Sequence, residues 1–318
     1  MIPVATRSGL LQRSEASTRA DAQAAALPDI LYIMGTGRSG TTILEVLIAS
    51  SAGFASVGEL KHIFRDGFLR EKPCACGKTA SSCDLWSRVL QSTRWKREDL
   101  AQLARLTDGI EAHWRFPFVW SGLVGRRTLA QYRNAAAALY RSIAATSHAP
   151  IVVDSSKYPA RALLLAKQFP GRVRVLCITR SAAGLFKAFE KKHTDEQKPK
   201  SPLAVTLYYL YVLFCMRLVR ARLGDRCLAI RFEDLRRDPD EVLRRIDRWS
   251  GYRLEGALRK LAENDWFEVG HIVTGNRLRK QGRVKFEAGD ASRSEPIYAG
   301  LRRYVVRWLE AYRRALGF

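Results

Sequence analysis

The stretch Gly35-Thr36-Gly37-Arg38-Ser39-Gly40-Thr41-Thr42 decides how this 318-residue chain is read. An apolar, β-branched run, Ile30 to Met34, precedes it, and an apolar helical pattern, Ile43 to Ala49, follows. A glycine-rich turn between strand and helix makes a phosphate cradle. Glycines let the backbone fold tightly about an anion, and the helix N-terminus aims its N–H groups and the positive end of its dipole at the same point. Thr41 and Thr42 add hydroxyl donors there.

The spacing matches the nucleoside-triphosphatase pattern G-x-x-x-x-G-K-[ST] except that Thr41 stands in place of the lysine that reaches the β- and γ-phosphates. Positive charge enters three residues earlier, at Arg38, which suits a nucleotide with one group beyond its 5′-phosphate. A kinase or NTPase with a degenerate loop is therefore the second reading.

Ile151 to Val153, Val173 to Thr179 and Cys227 to Phe232 are similar apolar runs, each leading into a polar or glycine-containing turn and a helical pattern. Such alternation reads as βαβ units around a parallel sheet. Phe54 to Val57 is a short further strand candidate. Strand signals vanish between Phe64 and Pro150, where helical patterns include Glu98 to Leu106 and a face of Leu129, Tyr132, Ala136, Leu139, Tyr140 and Ile143. Asp238 before Pro239 marks a helix start. The predicted fold is α/β, with a P-loop-like parallel sheet flanked by helices. It is one domain over residues 29–318, and residues 64–150 form a helical insertion that caps the sheet. Residues 1–28, rich in Ala, Ser and Thr without a continuous apolar core, are expected to be a disordered tail, with an organelle transit segment as the other reading.

Arg38-Ser39-Gly40-Thr41-Thr42 after a strand resembles the 5′-phosphosulfate loop of sulfotransferases that use 3′-phosphoadenosine 5′-phosphosulfate (PAPS). Gly58-Glu59-Leu60, Asp154-Ser155-Ser156-Lys157, Thr179-Arg180-Ser181 and the segment His271 to Arg279 follow in the family's order, so the likeness spans Leu31 to Gly282. It implies in-line transfer of the sulfuryl group of PAPS to an acceptor hydroxyl, with no metal required. The acceptor stays open among carbohydrate, lipid-linked sugar, small phenol and peptide tyrosine, its pocket capped by the helical insertion.

The resemblance assigns roles residue by residue. Glu59 is the base for the acceptor proton, as a Gly-Glu is in the tyrosylprotein sulfotransferases that this stretch resembles; a surface or capping carboxylate is the alternative. His62 is the second candidate, because cytosolic sulfotransferases use a histidine. His193 lies in a polar loop beside Lys191 and Lys192, His271 suits a structural hydrogen bond, and His113 and His148 lack supporting context. Arg38 and Lys157 address the bridging oxygen or sulfuryl group, with a Lys157–Asp154 salt bridge as the alternative, while Asp154 and Ser155 fix the turn. Gly37, Arg38, Ser39, Gly40, Thr41 and Thr42 hold the phosphosulfate, and Arg180 offers a guanidinium fork to the 3′-phosphate. Asn276 and Arg279, with Arg277 in reserve, close over the nucleotide. The family's serine eight residues after Arg180 is Ala188 here, so one 3′-phosphate contact is missing or supplied by Ser181 or Lys187. Glu233 and Asp234 match a recurring Glu-Asp-Leu, and capping of the next helix accounts for them.

The chain carries 54 basic and 31 acidic residues, a net charge of +23. Such a surface attracts nucleic acid or anionic lipid, and it equally steers a small polyanion into a cleft. Arg236, Arg237, Arg244, Arg245 and Arg248 recur at helical spacing, a pattern that a solvated helix face explains. No nucleic-acid-binding motif accompanies the charge, so no specific nucleic-acid partner is expected. The run Leu203 to Met216 is stopped by Arg217 short of a bilayer span; it reads as a buried helix, with peripheral membrane contact as the other reading. Six cysteines without an export signal place the protein in a reducing compartment, the cytoplasm. Cys177, Cys215 and Cys227 suit a core, whereas Cys74, Cys76 and Cys83 admit free thiols, a Cys76–Cys83 disulfide, or zinc with His62 as fourth ligand. The expectation is no bound metal. Trp86, Trp114, Phe116, Phe118 and Trp120 suit stacking on a sugar or phenol and suit core packing equally.

Overall fold

The computed structural model describes residues 27–190, 201–275, 277–289 and 298–318. The tail up to residue 26, His193 and Asn276 lie outside the described residues, as does the side chain of Arg277.

Five consecutive apolar residues make β1 (Asp29–Gly35) the centre of the sheet, since a strand buried on both faces needs such a run. It pairs in parallel with β3 (Ile151–Lys157) and β4 (Val173–Thr179), while β2 (Phe54–Ser56) and β5 (Cys227–Arg231) extend the two sides. The order is β2-β3-β1-β4-β5. Because every pairing is parallel, the carboxyl ends of all five strands line one edge, the place where open α/β sheets bind ligands.

The helices follow as α1 (Thr41–Ile48), α2 (Asp84–Thr93), α3 (Arg97–Glu111), α4 (Phe116–Trp120), α5 (Arg126–Ser147), α6 (Pro159–Gln168), α7 (Ala182–Glu190), α8 (Pro202–Leu223), α9 (Phe232–Arg237), α10 (Pro239–Ser250), α11 (Glu255–Ala262) and α12 (Gly300–Ala315). Strand residues alternate between the two faces of the sheet. Leu31 and Ile33 pack with Leu44 and Leu47 of α1 and with Leu243 and Ile246 of α10. Ile30, Tyr32 and Met34 pack on the other side with α6, α7 and α8. Between β2 and β3 the chain is helical: a 3-10 turn (Leu60–His62), a π-helical stretch (Ile63–Leu69) and α2 to α5. The face expected on α5 is the one buried, at Tyr132, Ala136, Leu139, Tyr140 and Ile143. Asp238 caps α10, its carboxylate accepting the Glu241 N–H at 3.0 Å.

Two features depart from the sequence reading. A small antiparallel pair, β6 (Trp266–Glu268) and β7 (Arg283–Lys285), brackets the late segment that carries His271 and Arg279. Helix α8 is only half buried: Val205, Tyr209, Val212, Met216 and Val219 face the core, while Leu203, Leu207 and Phe214 are exposed. By length and apolar composition this helix could cross a membrane, yet its buried stripe is built into the core beside the sheet.

Candidate active site

After β1 the chain turns back sharply. Ser39 N–H and Ser39 Oγ both donate to the Thr36 carbonyl, at 3.3 and 2.7 Å. Arg38 and Gly40 adopt left-handed backbone conformations, φ 71° and 94°. A methyl group on Gly40 would lie 2.3 Å from Phe232, so the loop runs flat against that ring. Helix α1 starts with no capping side chain and no acidic residue in its first turn. Its leading N–H groups are thus presented to a ligand, and phosphate is the ligand that this geometry suits. Gly37 N–H donates to the Tyr208 hydroxyl at 2.8 Å, which brings α8 to the loop.

Glu59 stands just past β2. Gly58, with φ 73°, makes the turn; a methyl there would lie 2.6 Å from Ile272. Thr274 grips the Glu59 backbone from both sides, its carbonyl accepting Glu59 N–H at 3.4 Å and its hydroxyl donating to the Glu59 carbonyl at 3.0 Å. The Glu59 carboxylate receives the Lys157 ammonium in a direct ion pair. Lys157 itself sits at φ 76°, opposite Met34, so the end of β3 is bent out of strand geometry where its side chain is presented. Such strain in a non-glycine residue points to a site function. A methyl on Gly275 would fall 3.4 Å from Glu59 Oε1 and 3.7 Å from Thr42 Oγ1, so carboxylate, phosphate helix and late segment meet at one point.

Glu45 holds this turn from below, from within the buried helix α1. Its Oε1 accepts Val57 N–H at 2.9 Å, Gly58 N–H at 2.7 Å and Ser56 Oγ at 3.0 Å, and its Oε2 accepts Ser155 Oγ at 2.5 Å. Burial pushes its carboxyl up to about 7 against those donors, which favour the anion. Beneath Lys157, Asp154 accepts Arg161 Nε at 2.9 Å, Tyr140 Oη at 2.6 Å and Ser156 N–H at 2.9 Å, and Arg161 also reaches Glu111. Asp154 therefore pairs with Arg161, and the alternative of a Lys157–Asp154 bridge gives way to Lys157–Glu59.

Arg180 ends β4. Its guanidinium donates to the Arg38 carbonyl at 3.1 Å and lies 4.7 Å from the centre of the Phe232 ring, so it is tied to the phosphate loop from the β4 side. Glu233 accepts Ser181 N–H at 2.8 Å, bracing the turn after Arg180 instead of capping its own helix as the sequence suggested. Ser181 Oγ accepts Gly184 N–H at 3.0 Å. Ala188 lies two turns along α7. Arg279 is buried and donates to the Pro73 carbonyl at 2.9 Å, docking the late segment on the stretch ahead of α2.

His62 is half-enclosed beside Lys157. Its Nδ1 accepts from Arg65 at 2.9 Å, since a guanidinium only donates. Burial and the neighbouring cations Lys61 and Arg65 lower its pKa to about 3, so it is neutral at pH 7 with that lone pair engaged. His113 stacks on Tyr158 at 4.4 Å and meets Tyr208 edge-on at 5.6 Å, forming an aromatic wall that the sequence did not single out. Of the aromatics expected near an acceptor, Trp86 and Phe116 are core, whereas Trp114, Phe118 and Trp120 are exposed. Glu45, Thr274, Tyr208 and Phe232 were also missed. Only Glu45 left a signal, as the lone acid in the apolar run Ile43 to Ala49.

Solved structures share this fold. The sulfotransferase domain from the curacin biosynthetic pathway aligns with TM-score 0.52 at 15% identity, over 90% of this chain and 97% of that one. The sulfotransferase domain of the Synechococcus PCC 7002 olefin synthase aligns with TM-score 0.50 at 18% identity, over 90% and 94%. No curated protein is significantly similar in sequence. The model of the sulfotransferase family, however, matches residues 28–256, from the start of β1 through β5 into α11, and the chain belongs to that family.

Proposed function

We propose that the chain transfers the sulfuryl group of PAPS to an acceptor hydroxyl, with Glu59 as the base. The observation that carries this reading is the Glu59–Lys157 pair at the mouth of the phosphate loop, where Thr42 and Gly275 meet it. PAPS supplies an activated sulfuryl group on a phosphate leaving group. The uncapped N-terminus of α1 and the tight turn at Gly40 fit that phosphosulfate, and Arg180 fits the 3′-phosphate from the β4 side. Glu59 takes the acceptor proton. Three N–H donors let Lys157 hold Glu59 and also stabilise charge on the bridging oxygen, with Arg38 and the loop amides beside it. The Tyr208 hydroxyl, which accepts from Gly37 N–H, lies beside that loop. The His113–Tyr158–Tyr208 wall suits an acceptor with a sugar or phenol ring.

The test is transfer of labelled sulfuryl from PAPS to a panel of phenol, sugar, lipid-linked sugar and tyrosyl-peptide acceptors. Wild type is expected to label an acceptor. Glu59→Gln should lose turnover by about 10²- to 10⁴-fold while binding adenosine 3′,5′-bisphosphate as before. Magnesium-dependent turnover of ATP in place of PAPS would overturn the reading.

A further inference from the structure

We infer that Cys74, Cys76, Cys83 and His271 bind one structural zinc ion as a Cys₃His site. Their four ligand atoms lie within 4.8 Å of one another. Cys76 Sγ is 3.6 Å from Cys83 Sγ, Cys83 Sγ is 3.9 Å from Cys74 Sγ, and His271 Nδ1 is 3.2 Å from Cys83 Sγ and 3.9 Å from Cys74 Sγ. A tetrahedral zinc with ordinary bond lengths spaces sulfurs about 3.8 Å apart and sulfur from nitrogen about 3.5 Å. These four distances bracket those spacings.

The surroundings are built to hold such a group. Cys74-Ala75-Cys76-Gly77 forms a tight knuckle, with Gly77 N–H on the Cys74 carbonyl at 2.9 Å, Cys74 N–H on the Lys78 carbonyl at 2.8 Å and Gly77 at φ 84°. Cys83 is the N-cap of α2, where the helix dipole favours a thiolate. His271 arrives from the far end of the sequence, held by Trp86 Nε1 on its carbonyl at 2.8 Å and followed by the Ala75 N–H on the Ile272 carbonyl at 2.9 Å. Cys74 and Cys83 are buried, and Cys76 is the exposed corner. A disulfide would use two of these four donors and leave a third thiol and an imidazole facing it. Zinc uses all four, and four protein ligands close the site to chemistry.

This departs from the sequence expectation of no metal, and it places His271 where His62 was considered; the Nδ1 of His62 is held by Arg65. Its consequence reaches the active site. Three residues after His271, Thr274 grips the Glu59 backbone, and Gly275 lies against the Glu59 carboxylate. The ion would thus pin the late segment that positions Glu59, which makes the four ligands positioning residues.

The experiment uses the full chain without a histidine tag, purified under reducing conditions without chelator. Metal analysis is expected to find about one zinc per chain. Cobalt exchanged into the site should give the intense visible bands of a tetrahedral ion and a thiolate charge-transfer band. Cys76→Ser, at the exposed corner, and His271→Asn should each lower the zinc content and weaken the charge-transfer band, and chelation should expose residues 269–282 to protease. A folded, reduced protein without zinc and without a tetrahedral cobalt spectrum would overturn the inference, as would a Cys76–Cys83 disulfide in protein taken directly from cells. None of these readouts involves a nucleotide, so they stand or fall apart from sulfuryl transfer.

Discussion

As the proposed base, Glu59 would need its backbone held in place, and glycine is what allows that. At Gly58 and Gly40 a side chain would need a positive φ and would collide with Ile272 or Phe232. Gly40→Ala should therefore weaken adenosine 3′,5′-bisphosphate binding by about 10- to 100-fold, read by calorimetry, because the Phe232 ring and the loop must part. Both glycines were legible as parts of motifs, as were Glu59, Lys157 and Arg180. Tyr208 and Phe232 were not, and Thr274 stood in the His271 to Arg279 segment without a role. Each contributes through a partner far away in sequence, such as Tyr208 with Gly37, and nothing in local periodicity signals that a hydroxyl or a ring will be needed there.

At the scale of elements, the apolar strands β1 and β4 were legible because parallel strands buried on both faces read as continuous hydrophobic runs. The pair β6 and β7 was not, since three-residue strands are too short to show alternation. The half-buried state of α8 escaped for a related reason: apolar residues all around the helix hide which face meets the core.

Glu45 couples α1 to the β2 turn and gives two predictions. Its carboxyl is raised from 4.5 to about 7, so between those pH values the native state holds a proton that the unfolded chain releases. The stability this contributes, on the order of 3 kcal/mol, is full below about pH 4.5, falls as pH rises toward 7, and is lost above it. Glu45→Gln should flatten that part of the profile of melting temperature against pH. Glu45→Ala leaves the Val57 and Gly58 N–H groups buried without an acceptor, a cost of about 1–3 kcal/mol each, and should lower turnover through Glu59. The Arg161 network under β3 is the stiffer support. Arg161→Met strips the counterion from buried Asp154 and Glu111 and should destabilise the fold by about 3–5 kcal/mol, measured by denaturant unfolding.

For the whole molecule, a charge of +23 favours capture of polyanions. Association of the bisphosphate nucleotide should slow as salt shortens the Debye length, while binding of neutral adenosine should not respond; stopped-flow rates at two ionic strengths separate them. The proposed role of Arg180 is narrower than charge, namely recognition of a 3′-phosphate. Calorimetric affinities for adenosine 3′,5′-bisphosphate and AMP, in wild type and Arg180→Ala, test it most directly. Wild type should prefer the bisphosphate by about 10- to 100-fold, the range of a hydrogen-bonded charge pair, and the variant should lose the preference even where both affinities fall. Equal affinities in wild type, or a preference that survives in the variant, would contradict it.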